Sequence, residues 1–400
     1  MSLPQLSSPS AAVPEQQAPP YLGAVWALLI VNTLGSAGAE TLIPIPRLVI
    51  QVVTMGALVA AFALALLLNP RVRLRPSVFL LSLSLLVVLS VVSSVDLGSG
   101  VGALLRCVRF AVFVATLWLL TPWWDSTLTF VRHHIRAAAA VLLSVLLGLL
   151  VAPGLALPDY YGGRLVGALW PLTAPQVGQY AAVVIGLTMV LWLGRRCDWR
   201  SAVVLLLPAV AALLLSHTRT ATLGLVAGLA VAVLSLTFTS ARARRMFGWA
   251  MLVVGLVTVA AGPAVQAWFL RGQSEEDLAN LTGRAKVWDA LLALPRSTGE
   301  RLLGVGLTDK SFDGLPIDSA WLAVYHEQGF VGVAIVCVLL AALVVAAALR
   351  PPSIERACAM FLIGYCLVAS YTEAGLGDAS TYLLHLAVAA SLLTSGRQAA

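Results

Sequence analysis

The sequence predicts an all-α protein that crosses a membrane about a dozen times. Of its 400 residues, 60% are hydrophobic and only 11% are charged, and the mean hydropathy is +0.93. A soluble domain carries about 25% charged residues. The apolar runs are long and do not alternate, which indicates helices, because only helices and closed barrels satisfy their backbone hydrogen bonds inside a membrane.

The longest apolar runs define the predicted spans, with short runs extended by their neighbours. They lie at about 21–39, 47–68, 77–95, 101–121, 136–157, 176–194, 202–215, 221–238, 247–263, 328–349, 355–371 and 380–394. The ninth and tenth of these twelve spans are separated by a long segment, 264–327. Residues 1–20 lack the basic start of a secretory signal, so we expect a disordered tail there, and a second tail at 395–400.

Arginine content alternates between successive connections of the predicted spans. One set of connections holds fourteen arginines: Arg71, Arg73, Arg75, Arg132, Arg136, Arg195, Arg196, Arg200, Arg242, Arg244, Arg245, Arg350, Arg356 and Arg397. The other set of short loops holds three: Arg47, Arg164 and Arg219. Because basic residues are concentrated in cytoplasmic loops, both termini are predicted to be cytoplasmic and 264–327 to be outside.

Arg219 lies in the turn Leu-Ser-His-Thr-Arg-Thr-Ala-Thr, residues 215–222, between two apolar helices on the predicted outer face. A charge this close to hydrocarbon is costly unless it reaches lipid headgroups or a partner. Its neighbours, His217 among them, are hydrogen-bond donors, and a guanidinium group can bind a phosphate through two hydrogen bonds. Contact with headgroups and an anion site therefore both remain open.

The outer segment contains Asn-Leu-Thr-Gly-Arg-Ala-Lys-Val-Trp, residues 280–288, which opens a helix with Thr282 as its N-cap. Arg284 and Lys286 fall in the first turn of that helix. Cations are disfavoured at the positive end of a helix dipole, so two of them favour a bound anion. The alternative is a solvated amphipathic helix that lies on the membrane surface.

Asp318, His326 and Glu327 are ionisable residues near the predicted outer end of the tenth span. One of them can accept a proton from a hydroxyl group. Asp318 has an alternative role as the N-cap of the following helix. Polar side chains are also common where a span begins, so a structural role for His326 and Glu327 remains open.

Arg106 and Arg109 lie inside the fourth predicted span, three residues apart and therefore on one helix face. An arginine inside a membrane span is by itself a reason to expect a functional site. The alternative is that the two residues pair with an acid in an outer loop, namely Glu40, Glu373 or Asp378.

The remaining composition argues against several classes of site. The net charge of +7 suggests a polyanionic partner, but most basic residues are accounted for by topology, so no nucleic-acid partner is expected. The five cysteines show no CxxC spacing or His/Cys cluster, so neither a zinc site nor a disulfide scaffold is predicted.

Taken together, these motifs resemble the O-antigen ligase and O-antigen polymerase superfamily of bacterial membrane glycosyltransferases. The resemblance covers about residues 160–340. Its elements are Ser-His-Thr-Arg-Thr-Ala, Thr-Gly-Arg-Ala-Lys-Val-Trp, Leu-Gly-Val-Gly-Leu, and Asp-Ser-Ala-Trp-Leu followed by Glu-Gln-Gly-Phe-Val-Gly. Each motif is short, and their order and their placement on one side of the topology carry the resemblance.

The resemblance implies a GT-C-like fold and transfer of a glycan from a polyprenyl diphosphate carrier to an acceptor hydroxyl. The reaction would take place outside the bacterial inner membrane, without a metal or cofactor, and its partners would be the carrier-linked oligosaccharide, a glycan acceptor and the bilayer. Arg219 and Arg284 match the family's diphosphate-binding arginines. Asp318 stands where the ligases have a histidine, which favours the polymerase branch over a ligase with a lipid or protein acceptor.

On this interpretation, Arg219 and Arg284 stabilise the leaving diphosphate and Asp318 is the base, which makes these three the predicted catalytic residues. The predicted substrate-binding residues are Arg106, Arg109, His217, Lys286, His326, Glu327 and Glu373. A transporter or flippase of polyprenyl lipids or anions is the alternative from another class. It predicts duplicated halves and a site at mid-depth, whereas the sequence has no repeat and its ionisable residues concentrate on one face. A non-catalytic scaffold is a third possibility.

Overall fold

The computed structural model describes residues 19–35, 40–96, 100–237, 241–245, 248, 284–308, 310–312 and 314–394. The helices in this part are α1 Leu22–Thr33, α2 Arg47–Leu68, α3 Val78–Asp96, α4 Gly100–Leu120, α5 Thr129–Val151, α6 Pro153–Ala156, α7 Ala174–Leu193, α8 Trp199–Ser216, α9 Arg219–Thr237, α10 Arg284–Ala293, α11 Thr298–Leu303, α12 Ala320–Leu349, α13 Ile354–Ala369 and α14 Thr381–Leu393. A small antiparallel hairpin is formed by β1 Ser311–Phe312 and β2 Leu315–Pro316.

Eight of the described helices are long and apolar enough to cross a membrane: α2 to α5, α7 to α9, and α12. Helices α1 and α14 are shorter apolar helices. The chain is therefore an all-α, multi-pass membrane protein, and the predicted fold class is confirmed at that level. Eleven of the twelve predicted spans coincide with a described helix. The ninth, 247–263, lies outside the described residues, as does Thr282, the predicted N-cap.

Two helices begin earlier than the predicted spans. Helix α5 starts at Thr129, so Arg132 and Arg136 lie in its first two turns. Helix α12 starts at Ala320 and is interrupted at Gly329, where φ is 64°. Apolar runs mark only the part of a helix that faces hydrocarbon, and each of these helices continues into polar sequence.

Helix α7 lies at the centre of the bundle and packs against α5, α8, α9 and α13. Nearly all of its residues are buried. By contrast, α2 and α8 bury only a few positions each. Helix α7 is therefore the buried centre of the bundle, and α2 and α8 lie at its lipid-facing edge.

Helices α9 and α13 approach each other closely through glycines. Gly224 and Gly228 are four residues apart on α9, a spacing of small residues that lets membrane helices pack backbone to backbone. A Cβ atom at Gly228 would lie 2.7 Å from the carbonyl oxygen of Phe361 on α13. At the outer end of this contact, the hydroxyl oxygens of Thr220 and Thr372 are 2.6 Å apart. The start of α9 is thereby held beside the loop after α13.

A network of buried side chains, Trp26, His134, His385 and Gln179, joins α1, α5, α14 and α7. The indole nitrogen of Trp26 is 3.1 Å from Nδ1 of His134, whose Nε2 is 2.8 Å from Nδ1 of His385. Because an indole can only donate, His134 accepts at Nδ1 and donates from Nε2. His385 is therefore neutral too, and its Nε2 carries the proton. Nε2 of Gln179 lies 3.1 Å from that atom, so the amide must be turned over for its oxygen to accept the hydrogen bond.

The outer segment, residues 284–319, is anchored to α12 where that helix breaks at Gly329. The N–H of Val305 donates to the carbonyl oxygen of His326 at 2.9 Å. A Cβ atom at Gly329 would lie 2.3 Å from the carbonyl oxygen of Leu302. The combination of positive φ and close backbone approach suits only glycine. Two of the short motifs singled out in the sequence, Leu-Gly-Val-Gly-Leu and Glu-Gln-Gly-Phe-Val-Gly, also contact each other, because the N–H of Gly306 donates to the carbonyl oxygen of Glu327 at 3.0 Å.

Candidate functional site

Arg284, the first residue of α10, lies between two carboxylates. Its Nε is 3.1 Å from Oδ2 of Asp318, and its Nη2 is 4.0 Å from Oε1 of Glu373. Asp318 lies two residues before the start of α12, and Glu373 follows α13. Leu291 of α10 is buried against Ile317, next to Asp318. This packing holds the short helix so that its first residue reaches both acids.

Arg164 approaches the same region from the connection before α7. Its Nε donates to the main-chain oxygen of Ser216 at 3.0 Å, and its Nη2 donates to the hydroxyl of Thr218 at 3.4 Å. The guanidinium group also lies over the ring of Tyr161, 5.7 Å from the ring centroid. Arg164 is therefore fixed at the end of α8, immediately before α9 begins.

We call Arg164, Arg219, Arg284, Asp318 and Glu373 the outer cluster. Arg219, the first residue of α9, interacts electrostatically with Arg284. Arg164 interacts electrostatically with both of these arginines and with Glu373. Among the described residues, Arg284 thus contacts both carboxylates and Arg164 lies near one of them. Guanidinium groups that converge on one region suit an anionic ligand, because each can donate two hydrogen bonds to a phosphate.

Glu373 is a carboxyl group of the outer cluster whose pKa is raised. Burial raises the pKa of its carboxyl to about 7, against the opposing effect of Arg284, and nearby Asp318 adds to the rise. The side chain is only 18% exposed. A carboxyl group that titrates near pH 7 can both accept and release a proton under physiological conditions, as a general base requires.

Arg106 and Arg109 line a different part of the protein, a cavity of about 490 Å³. The guanidinium of Arg109 donates to the main-chain oxygen of Asn32 at 2.7 Å. It also interacts electrostatically with Asp378, one of the acids considered as a partner from the sequence. These two predicted substrate-binding residues are therefore not members of the outer cluster.

Other predicted residues lie close to the outer cluster in the chain. His217 is the C-cap of α8, with φ 47°, and sits between the two residues that Arg164 contacts. Lys286 is on the exposed side of α10. Asp318 is not the N-cap of α12, because Ser319 occupies that position. The side chain of Ser319 makes no capping hydrogen bond.

His326 and Glu327 hold the outer segment in place. Nδ1 of His326 is 2.7 Å from Nη2 of Arg296. The carboxylate of Glu327 accepts hydrogen bonds from the N–H of Thr308 at 2.9 Å and from its hydroxyl at 3.2 Å. These contacts match the structural role that the sequence left open for both residues.

Sequence reasoning left Arg164 and Arg47 out of the predicted site. Together with Arg219, they are the three arginines of the short loops that were predicted to lie outside. Arg164 belongs to the outer cluster and Arg47 lines the cavity. The signal was therefore present, since every basic residue of those short loops faces one of the two cationic regions.

Comparison with known protein families and with curated proteins finds no match for this chain. Within the described residues, no group of three or more His, Cys, Asp or Glu side chains is arranged to hold a metal ion. The charge and geometry of the outer cluster are therefore the features that point to a function.

Proposed function

We propose that this protein transfers a glycan from a polyprenyl diphosphate carrier to a hydroxyl of a glycan acceptor. The observation that carries the proposal is the outer cluster, in which three arginines and two carboxylates from separate parts of the chain meet beside helices of membrane-crossing length. A substrate with a diphosphate and a lipid tail suits this arrangement. Arginine binds phosphate oxygens through pairs of charge-assisted hydrogen bonds.

The outer cluster supplies the electrostatic part of the reaction. When the bond between the sugar and the diphosphate breaks, negative charge grows on the leaving diphosphate. Fixed guanidinium groups stabilise this charge, because they are already oriented before the reaction begins. Arg219 and Arg284 have this role in the proposal, and Arg164 holds the phosphate from a third direction.

The reaction needs one proton acceptor. Glu373 takes the proton of the acceptor hydroxyl, and the hydroxyl oxygen forms a bond to the anomeric carbon of the donor sugar. The bond from that carbon to the diphosphate oxygen breaks, and the polyprenyl diphosphate leaves with the electron pair. Asp318, the base expected from the sequence, instead orients Arg284, because the two are hydrogen-bonded at 3.1 Å.

The finer parts of the proposal follow the family resemblance. The acceptor is another glycan chain, so the reaction lengthens a surface polysaccharide. The fold is GT-C-like with twelve spans, both termini are cytoplasmic, and the outer cluster faces away from the cytoplasm of the bacterial inner membrane. The arginine asymmetry of the short loops supports this orientation.

The test uses the full-length protein in proteoliposomes with a polyprenyl diphosphate-linked oligosaccharide. Arg219→Ala and Arg284→Ala are each expected to lower the rate of chain lengthening by at least about a hundredfold, since each removes a preorganised cation from the leaving group. Product length is read on a gel, and the unfolding temperature confirms that each variant is folded.

Arg301→Ala is the matched control, because Arg301 is an exposed arginine of the same outer segment. Its rate should stay near that of the wild-type protein. Unchanged lengthening in both cluster variants would overturn the proposal. Carrier lipid that crosses the vesicle membrane without any new glycosidic bond would instead favour the transporter.

A further inference from the structure

The cavity lined by Arg106 and Arg109 is a candidate for a second binding site. It has a volume of about 490 Å³, within the usual range for small-molecule sites. Its wall is built from α2, α4, the outer segment and the loop after α13. None of the five residues of the outer cluster lines it. The function of this cavity can therefore be tested separately from glycan transfer.

Basic residues outnumber acidic ones among the described residues of the cavity wall. Four of these residues are basic, Arg47, Arg106, Arg109 and Lys310, and two are acidic, Asp378 and Glu327. Lys310 is paired with Asp378 at 2.6 Å, and Thr308 binds the carboxylate of Glu327. Among the described residues, no carboxylate lies within the 4.0 Å of an ion pair from any of the three arginines.

The arrangement of the three arginines is costly without an anion. Arg106 and Arg109 are close enough to interact unfavourably with each other, and Arg47 is the first residue of α2, where the helix dipole disfavours a cation. Nε of Arg109 is buried and has no hydrogen-bond partner among the described residues. An anion in the cavity would offset the repulsion between these cations and offer an acceptor to Nε of Arg109.

The surroundings of the cavity favour a lipid. Arg47 begins α2, and Arg106 and Arg109 lie in the first half of α4, so all three are toward the predicted outer ends of two membrane-crossing helices. Outside the residues that line the cavity, α2 is apolar and open, with Leu48 69% and Val52 63% exposed. A phosphate in the cavity would thus sit at headgroup level, with hydrocarbon surface next to it.

We infer that this cavity binds the phosphate of an anionic phospholipid from the outer leaflet. The three arginines of the wall suit the negative charge of a phosphodiester, with the lipid chains lying along α2. The inference does not depend on the proposed glycan transfer.

The experiment measures lipid binding to the full-length protein purified in an uncharged detergent. Phosphatidylglycerol should raise the unfolding temperature and stay bound in native mass spectrometry, whereas phosphatidylcholine should do neither. Arg47→Gln and Arg106→Gln should each weaken phosphatidylglycerol binding about tenfold, because each removes one charge-assisted contact. Arg301→Gln, on the exposed part of the outer segment, should leave binding unchanged.

Arg109 is left intact in these variants, because its bond to Asn32 joins α4 to α1. Equal effects of the two phospholipids, or unchanged binding in both variants, would overturn the inference. Inorganic phosphate that stabilises the protein as well as phosphatidylglycerol does would show that no lipid is required. Displacement of phosphatidylglycerol by trace polyprenyl phosphate would assign the cavity to the carrier lipid.

Discussion

The outer cluster and the buried histidine network both place polar side chains in an apolar protein, but they do so in opposite ways. In the histidine network, each donor meets one acceptor, from Trp26 through His134 and His385 to Gln179, and no net charge remains. In the outer cluster, the described contacts are between charged groups, and Arg284 meets both Asp318 and Glu373. The first arrangement is built from neutral groups, and the second is built from charges.

This difference assigns a structural role to the histidine network and a functional role to the outer cluster. A closed network of neutral hydrogen bonds ties helices together and offers nothing to a ligand. A group of arginines at a partly exposed surface can bind an anion. The two regions should therefore respond differently to mutation, one through unfolding and the other through activity.

The largest expected effect concerns Glu373. The wild-type rate, as kcat/KM, should rise with pH through about 7 and then level off, because the base must lose its proton and burial sets its pKa there. Glu373→Gln should lower the rate at pH 8 by at least about a hundredfold and abolish this pH dependence. Transfer rates measured between pH 5 and 9 give both results.

Asp318→Asn serves as the comparison for this prediction. It loosens Arg284 but leaves Glu373 in place, so the rise through about pH 7 should remain. If the rise disappears in Asp318→Asn and persists in Glu373→Gln, the roles of the two carboxylates are the reverse of those proposed.

A smaller effect is expected in the histidine network. His134→Ala leaves the buried Trp26 N–H and His385 without their partner, which should lower the free energy of unfolding by about 1–2 kcal/mol. Transfer activity of the folded protein should not change. Thermal unfolding in detergent measures the loss, and His133→Ala, at the neighbouring half-buried position, is the control. Lost activity with unchanged stability would contradict a purely structural network.

The smallest effect is expected for Arg164→Lys. Lysine keeps the charge but cannot donate to both Ser216 and Thr218 in the fixed geometry of the guanidinium group. The KM for the carrier-linked donor should rise by less than about tenfold. A change of a hundredfold would mean that the shape of this arginine, and not only its charge, is required by the outer cluster.

Much of the fold could be predicted from the sequence. Long apolar runs identify membrane helices because hydrocarbon excludes unpaired backbone groups, and eleven of the twelve runs coincide with described helices. The ends of α5 and α12 were harder to predict. Hydropathy does not register a helix that continues into polar sequence, nor the break at Gly329, which depends on a contact with Leu302 in the outer segment.

The composition of the candidate site was predicted only in part. Arg284 and Asp318 were singled out from local motifs, and the structure pairs them. Arg164 was not singled out, because its partners Ser216 and Thr218 are more than 50 residues away. No local pattern separates Arg106 from the outer cluster either. Such assignments depend on which helices pack together, and only tertiary structure provides that.

The glycine contact between α9 and α13 also affects the order in which the outer cluster forms during synthesis. A chain made from its N-terminus presents Arg164, Arg219 and Arg284 before Glu373. Until α13 inserts against Gly224 and Gly228 of α9, the three arginines lack this carboxylate. Glu373 therefore joins Arg164 and Arg284 only when α13, one of the later described helices, is in place.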